Sequence, residues 1–279
     1  EREERASQAL QWVQTEIRPC AASHAESTVR PQPPAVVVGR GWGDCKDKAL
    51  LLSSMLRELG IDARPALASL ATRGGPASML PAPDVFDHVI VEVALGGRLY
   101  HLDPTSQGQA GLPSRMGQRL EDAAVLPVAA DTRALVIVRS PNRAEIFRTQ
   151  LEERLALPQL GGEGRLEVEM RWFGSQAESL RLLLSRMDAA ERRRFVAVGY
   201  EQQYESCRLL GELEISDDRR HNELTIRARF ALPLLARALG EHWAVAFAAN
   251  LGDALDMPAL HGRRFALALP SYERALALD

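Results

Sequence analysis

One cysteine of this chain stands where its surroundings could activate it for covalent chemistry. Cys45 follows Gly43 and Asp44 and opens a helical pattern. A thiol attacks as its thiolate, and the unpaired N–H groups and dipole at a helix N-terminus favour that negative charge. With Asp44 as N-cap, Cys45 takes the first helical position. A lone cysteine is more often a small core residue, so context has to decide. Cys20, after Ile17-Arg-Pro, and Cys207, on a predicted strand, lack a helix N-terminus and read as structural. The thiol needs a base, and imidazole combines a near-neutral pKa with a proton-accepting nitrogen. His24, His221, His242 and His261 lie in polar segments with no acidic partner motif, which leaves His88 and His101. These two occupy the arms of one predicted hairpin. Asp103 closes the second arm before Pro104, where it can fix a tautomer and stabilise imidazolium in a Cys-His-Asp relay. His101 is the weaker base, because it shares a strand face with Asp103 only two residues away. Each histidine alone would be an ordinary satisfied strand residue. Cys45, His88, His101 and Asp103 together are also a conceivable zinc set. Structural zinc sites prefer local ligand pairs, however, and the chain has no CxxC, so no metal or cofactor is expected.

The elements that must position these groups are legible in the pattern. Ala6, Leu10, Val13 and Ile17 recur at helical spacing over 3–18, ending before Pro19. Residues 19–41 read as loop, with Arg30-Pro-Gln-Pro-Pro34 extended because each proline pushes its predecessor out of the helical region. Asp44 and Asp47 form a capping-box pair, and Ala49, Leu52, Leu56 and Leu59 make the next helical stripe, stopped by Gly60. A β-prone stretch runs from Pro65 to Leu70. The Gly- and Pro-rich segment Thr72 to Pro83 reads as a mobile loop at the rim of a cleft. His88, Ile90 and Glu92 alternate with Val89, Val91 and Val93, and Gly96-Gly97 turns the chain into a second strand from Arg98 to Asp103. A further strand is expected at 133–138. Beyond it, Leu166 to Trp172, Ala177 to Met187, a helix to about Tyr204, Cys207 to Ile215 and Glu223 to Leu232 describe a second α+β region without concentrated chemistry. Domain limits follow: 1–140 for the first unit, a linker over 141–163, and 164–279 for the second.

Composition narrows the classes. The 279 residues are 46% hydrophobic and 25% charged, ordinary for a globular protein and inconsistent with disorder, collagen or coiled coil. Net charge is −3, so no global basic field exists to hold nucleic acid or an anionic membrane. Three cysteines do not make a disulfide scaffold. No apolar run approaches the length of a membrane span.

Three ordered blocks carry a family resemblance. Pro33-Pro34, then Arg40-Gly-Trp-Gly-Asp-Cys-Lys-Asp-Lys-Ala49, with Leu51-Leu52, Met55-Leu56, Gly60-Ile61 and Ala63, resembles the cysteine motif of bacterial transglutaminase-like domains. Phe86-Asp-His-Val-Ile-Val91 and Leu99-Tyr-His-Leu-Asp-Pro-Thr105 resemble the histidine and aspartate motifs that follow it. The resemblance covers about residues 1–140. It implies an α+β, papain-like core with the nucleophile helix packed on an antiparallel sheet, followed by a second α+β domain. It also implies Cys45 as nucleophile, His88 as base and Asp103 as orienting acid, with the Cys45 backbone N–H in the oxyanion hole. The chain departs from the pattern at Gly41-Trp42, where relatives usually carry Tyr or Phe, and at His101, where they often carry an aromatic.

The implied reaction is attack on a peptide or isopeptide amide to give an acyl-enzyme, which water or an amine then resolves. The alternative is a silent binding or scaffold module. Expected partners are a peptide or protein substrate and a preceding β-rich domain of unknown function, as in the subgroup that this sequence most resembles. The same resemblance implies a periplasmic or cell-envelope location.

Overall fold

The computed structural model describes residues 1–20, 30–140 and 142–245, and the backbone alone of 274–278. His24 and His261 lie outside the described residues. The chain divides into two compact units, Glu1–Ile146 with Arg219–Asn222, and Phe147–Asp218 with Glu223–Asp279.

The first unit begins with α1 (Arg2–Glu16), β1 (Arg18–Pro19), α2 (Pro34–Arg40), β2 (Trp42–Gly43) and α3 (Cys45–Glu58). After these come β3 (Ala63–Ala68), β4 (His88–Leu95), β5 (Arg98–Leu102), β6 (Ala124–Pro127), β7 (Val136–Ile137) and α4 (Arg143–Ile146). Strands β3 to β7 form one antiparallel sheet in the order β5-β4-β3-β6-β7. Its strand residues alternate between two apolar layers, as a pleat of period two requires. Val91, Val93, Tyr100 and Leu102 pack with Leu10 and Val13 of α1 and Leu52 and Leu56 of α3. Ala66, Ala68 and Ile90 pack with Leu120, Ala123, Val125 and Val138 in a second cluster. Each fully buried leucine or isoleucine here contributes roughly 1.5–3 kcal/mol. The architecture is therefore mixed α+β, with the helix that begins at Cys45 lying against β3 and β4.

Helix α3 starts where the capping pattern requires. The Asp44 carboxylate accepts from Asp47 N at 3.1 Å, and the Asp47 carboxylate accepts from Asp44 N at 3.3 Å. Asp44→Ala is expected to cost about 1 kcal/mol of stability, with Asp44→Asn recovering most of it, as read by urea unfolding. Gly60, at φ +71°, leaves the helix in a conformation that costs a side chain.

Two local expectations are corrected. Residues 34–40, expected as extended loop, form α2: Pro33 is extended at ψ 141°, Pro34 sits at the first helical turn, and Gly41 at φ 69° terminates it. Proline disfavours helix for the residue before it and in a helix interior, but its fixed φ and missing N–H suit the first helical position. The segment Thr72 to Pro83, read as loop, is loop with one short 3-10 turn, Gly75–Ser78, and a second begins at its end, Pro83–Val85. It is tied down by Ala124 N donating to Arg73 O and by Arg73 donating to Glu121 O. The strand expected at 133–138 contracts to β7.

The second unit contains β8 (Thr149–Ala156), β9 (Gly164–Phe173), α5 (Gly174–Leu184), α6 (Ala189–Gln203), β10 (Arg208–Asp218) and β11 (Glu223–Leu232). It closes with β12 (Ala236–Leu239), β13 (His242–Val245) and β14 (Arg274–Leu278). Its main sheet runs β10-β11-β9-β8-β14. Leu166, Val168, Leu224, Ile226 and Phe230 of the sheet pack with Ala177 and Leu180 of α5 and Val196 and Tyr200 of α6. Stretch 141–163, expected as linker, carries all of α4 and all of β8. No helix of the described residues is long and apolar enough to cross a membrane.

Candidate active site

Cys45 is the first residue of α3 and is partly exposed, while its neighbours on the polar arm of the site are buried. His88 opens β4 opposite Ala68, and Asp103 follows the last residue of β5. The hairpin brings these two together across its open end. His88 Nε2 lies 3.1 Å from Asp103 Oδ2, with the two residues only 6% and 5% exposed. That uses Nε2 and leaves Nδ1 as the other ring nitrogen, and the Cys45 side chain is among the groups that act on the imidazole.

Burial opposes a charge on His88, but the hydrogen bond with Asp103 and the influence of Cys45 outweigh it and raise its pKa to about 9. Burial likewise pushes Asp103 upward. Its hydrogen bonds with His88 and Thr105 overcome this and hold the carboxyl below the usual carboxylate range. Asp103 Oδ1 accepts from Thr105 N at 2.8 Å and from Thr105 Oγ1 at 2.6 Å. Arg119 Nη1 stands 3.7 Å from Oδ2. The Asp103 carbonyl accepts from Gln14 Nε2 of α1 at 2.9 Å, and Gln14 Nε2 also donates to Gln109 Oε1.

The other candidates separate from this cluster. His101 Nε2 lies 3.4 Å from Glu92 Oε2, and Arg64 Nε donates to Glu92 Oε1 at 2.8 Å. The three are register partners across β3, β4 and β5, so His101 belongs to a buried cross-strand row of its own. The contact with His101 is the first cause of the lowered Glu92 pKa, followed by burial, which opposes it, and by Arg64. Cys20 and Cys207 are free thiols. Burial raises both, with Asp44 adding to the effect at Cys20, and Cys207 reaches about 11. Among the described residues, no group of three or more His, Cys, Asp or Glu side chains is disposed to hold a metal ion.

Sequence reasoning missed Gln14 and Lys48. Lys48, three residues beyond Cys45, is 1% exposed and donates from Nζ to the Ile17 carbonyl at 2.7 Å. A lysine in a helical pattern reads as solvent-facing, and only the stripe position of Ala49 beside it hinted otherwise.

Residues 1–104 match the family model of the transglutaminase-like superfamily. No curated protein matches the chain. Among solved structures, the chain is similar to a crystal structure of a candidate protease from Parabacteroides distasonis, at 12% identity and a TM-score of 0.39. That match covers 83% of this chain, which spans 46% of the other protein's length.

Proposed function

We propose, from the transglutaminase-like match of residues 1–104, that this chain is a cysteine hydrolase or acyltransferase acting on peptide or isopeptide amide bonds. The observation that supports the reading is that His88 Nε2 lies 3.1 Å from the buried Asp103 carboxylate while the Cys45 side chain is among the groups that raise the His88 pKa. In the proposed reaction the Cys45 thiolate attacks the amide carbonyl, and the first backbone N–H groups of α3 receive the oxyanion. His88, kept protonated at neutral pH, delivers its proton to the departing amine as the C–N bond breaks, leaving a thioester. Water or a second amine then loses a proton to His88 while adding to the thioester, and the thiolate departs. Asp103 holds the imidazole through Nε2 so that Nδ1 faces the sulfur.

Mapping of iodoacetamide labels by mass spectrometry at pH 6 tests the assignment. Cys45 is expected to react at least about tenfold faster than Cys20 or Cys207, whose thiols are held protonated. Faster labelling of either of those overturns it. Incubating the protein with a peptide library, with and without a primary amine, then separates the two outcomes. Incorporation of the amine marks transfer, and cleavage without incorporation marks hydrolysis.

A further inference from the structure

We propose that Lys48 is a fourth charged member of this site, a positioning residue whose buried ammonium balances Asp103 and the Cys45 thiolate against the single imidazolium of His88. The inference rests on the reading above. Lysine is almost never fully buried unless it is paired, and Lys48 heads the fully buried side chains by size among the described residues. It lies one helical turn from Cys45 on α3, so the two side chains are neighbours on that helix.

The last turn of α1 links Lys48 to the acid. Lys48 Nζ bonds the carbonyl of Ile17, the residue that caps α1. Three residues earlier, Gln14 Nε2 bonds the carbonyl of Asp103. Lys48 and Asp103 are therefore both tied to the C-terminal end of α1. Burial lowers the Lys48 pKa, and the charge of Asp103 acts against that loss.

The surrounding charges make the balance specific. Asp103 faces His88 from β4, the Thr105 donors from its own loop, and Arg119, whose side chain is half-exposed and screened by water. Lys48 is the fully buried cation of the set. A thiolate, a carboxylate and one imidazolium leave a net negative charge out of water, which is costly. Asp44 and Asp47, beside Cys45 at the start of α3, are paired with Lys46 and Arg40, so one further ammonium brings the sum to zero. If Lys48 only secured the Ile17 carbonyl, any neutral donor of similar length would serve.

The test compares wild type, Lys48→Met and Lys48→Gln by the pH dependence of Cys45 alkylation with iodoacetamide. Circular dichroism and urea unfolding confirm that each variant is folded. Methionine fills the volume without a buried charge, a replacement that proteins often tolerate. Glutamine keeps a donor but no charge, and it carries the test alone if the methionine variant does not fold. Loss of the positive neighbour is expected to move the acid-side midpoint up by about one pH unit in both variants, slowing labelling below it up to about tenfold. A Lys48→Gln profile that superimposes on the wild type overturns the proposal. Wild-type labelling that does not favour Cys45 overturns the reading of the site itself, and this inference with it.

Discussion

Cys45→Ala is expected to reduce turnover by a factor on the order of 10⁵, to the level set by binding and oxyanion contacts alone. Without the sulfur no thioester forms, and neither His88 nor Asp103 can replace it. The fold should survive, because Cys45 is partly exposed and its removal opens little space in the core. Intact-mass analysis of protein quenched during reaction with an activated ester is the direct measurement. Wild type should gain one acyl group and the variant none, while both bind the same peptide with similar affinity. Turnover that persists in the alanine variant would end the covalent reading. A wild type that binds peptide but never acylates would leave a scaffold as the better description.

Asp103→Asn should lower turnover by about 10³ to 10⁴ and also flatten the pH dependence of stability. The Thr105 donors point at Oδ1, so an asparagine would keep its carbonyl there and turn its NH₂ toward His88 Nε2. Nε2 would then have to accept, which puts the ring proton on Nδ1 and spoils it as a base toward Cys45. His88 has its pKa raised from 6.5 to about 9 in the fold. Its contribution is therefore complete below pH 6.5 and disappears as the pH rises through 9, and over that interval it amounts to roughly 3 kcal/mol. Asp103, lowered from 3.8, contributes above that value and stops contributing as the pH falls through its folded value. Urea unfolding from pH 4 to 10 should show the largest wild-type advantage near pH 5 to 6.5, closing beyond 9. An advantage that is constant across this range would show that the pair is not ionised as described.

Those groups were visible in the sequence because each depends on a short-range signal. Cys45 is marked by the Asp44-Asp47 cap, and His88 and Asp103 by an alternating strand pair around Gly96-Gly97. The limits of local reading show equally well. Leu59 completed a predicted stripe but is 40% exposed at the end of α3, because the helix leaves the core before that turn. Strand β8 was hidden among charged residues: Glu153 is buried within it and accepts from Tyr200 Oη at 2.7 Å, a partner 47 positions away. Gln14 and Lys48 were invisible for the same reason. Their roles depend on where α1 docks, and no window of neighbouring residues carries that information. His101 was left without a role until the register set it opposite Glu92.

The order of the three groups along the chain has a consequence during synthesis. Cys45 leaves the ribosome first, His88 next, and Asp103 comes 58 positions after the thiol. At roughly 5–20 residues per second, that gap lasts about 3 to 12 seconds. If Cys45 owes its reactivity to His88, and His88 to Asp103, the nascent thiol passes this interval without its activating partners. Strand β5 must then pair with β4 before the relay closes. If the proposed function holds, a chain arranged in this order stays chemically quiet toward itself and toward neighbouring chains until Asp103 has emerged.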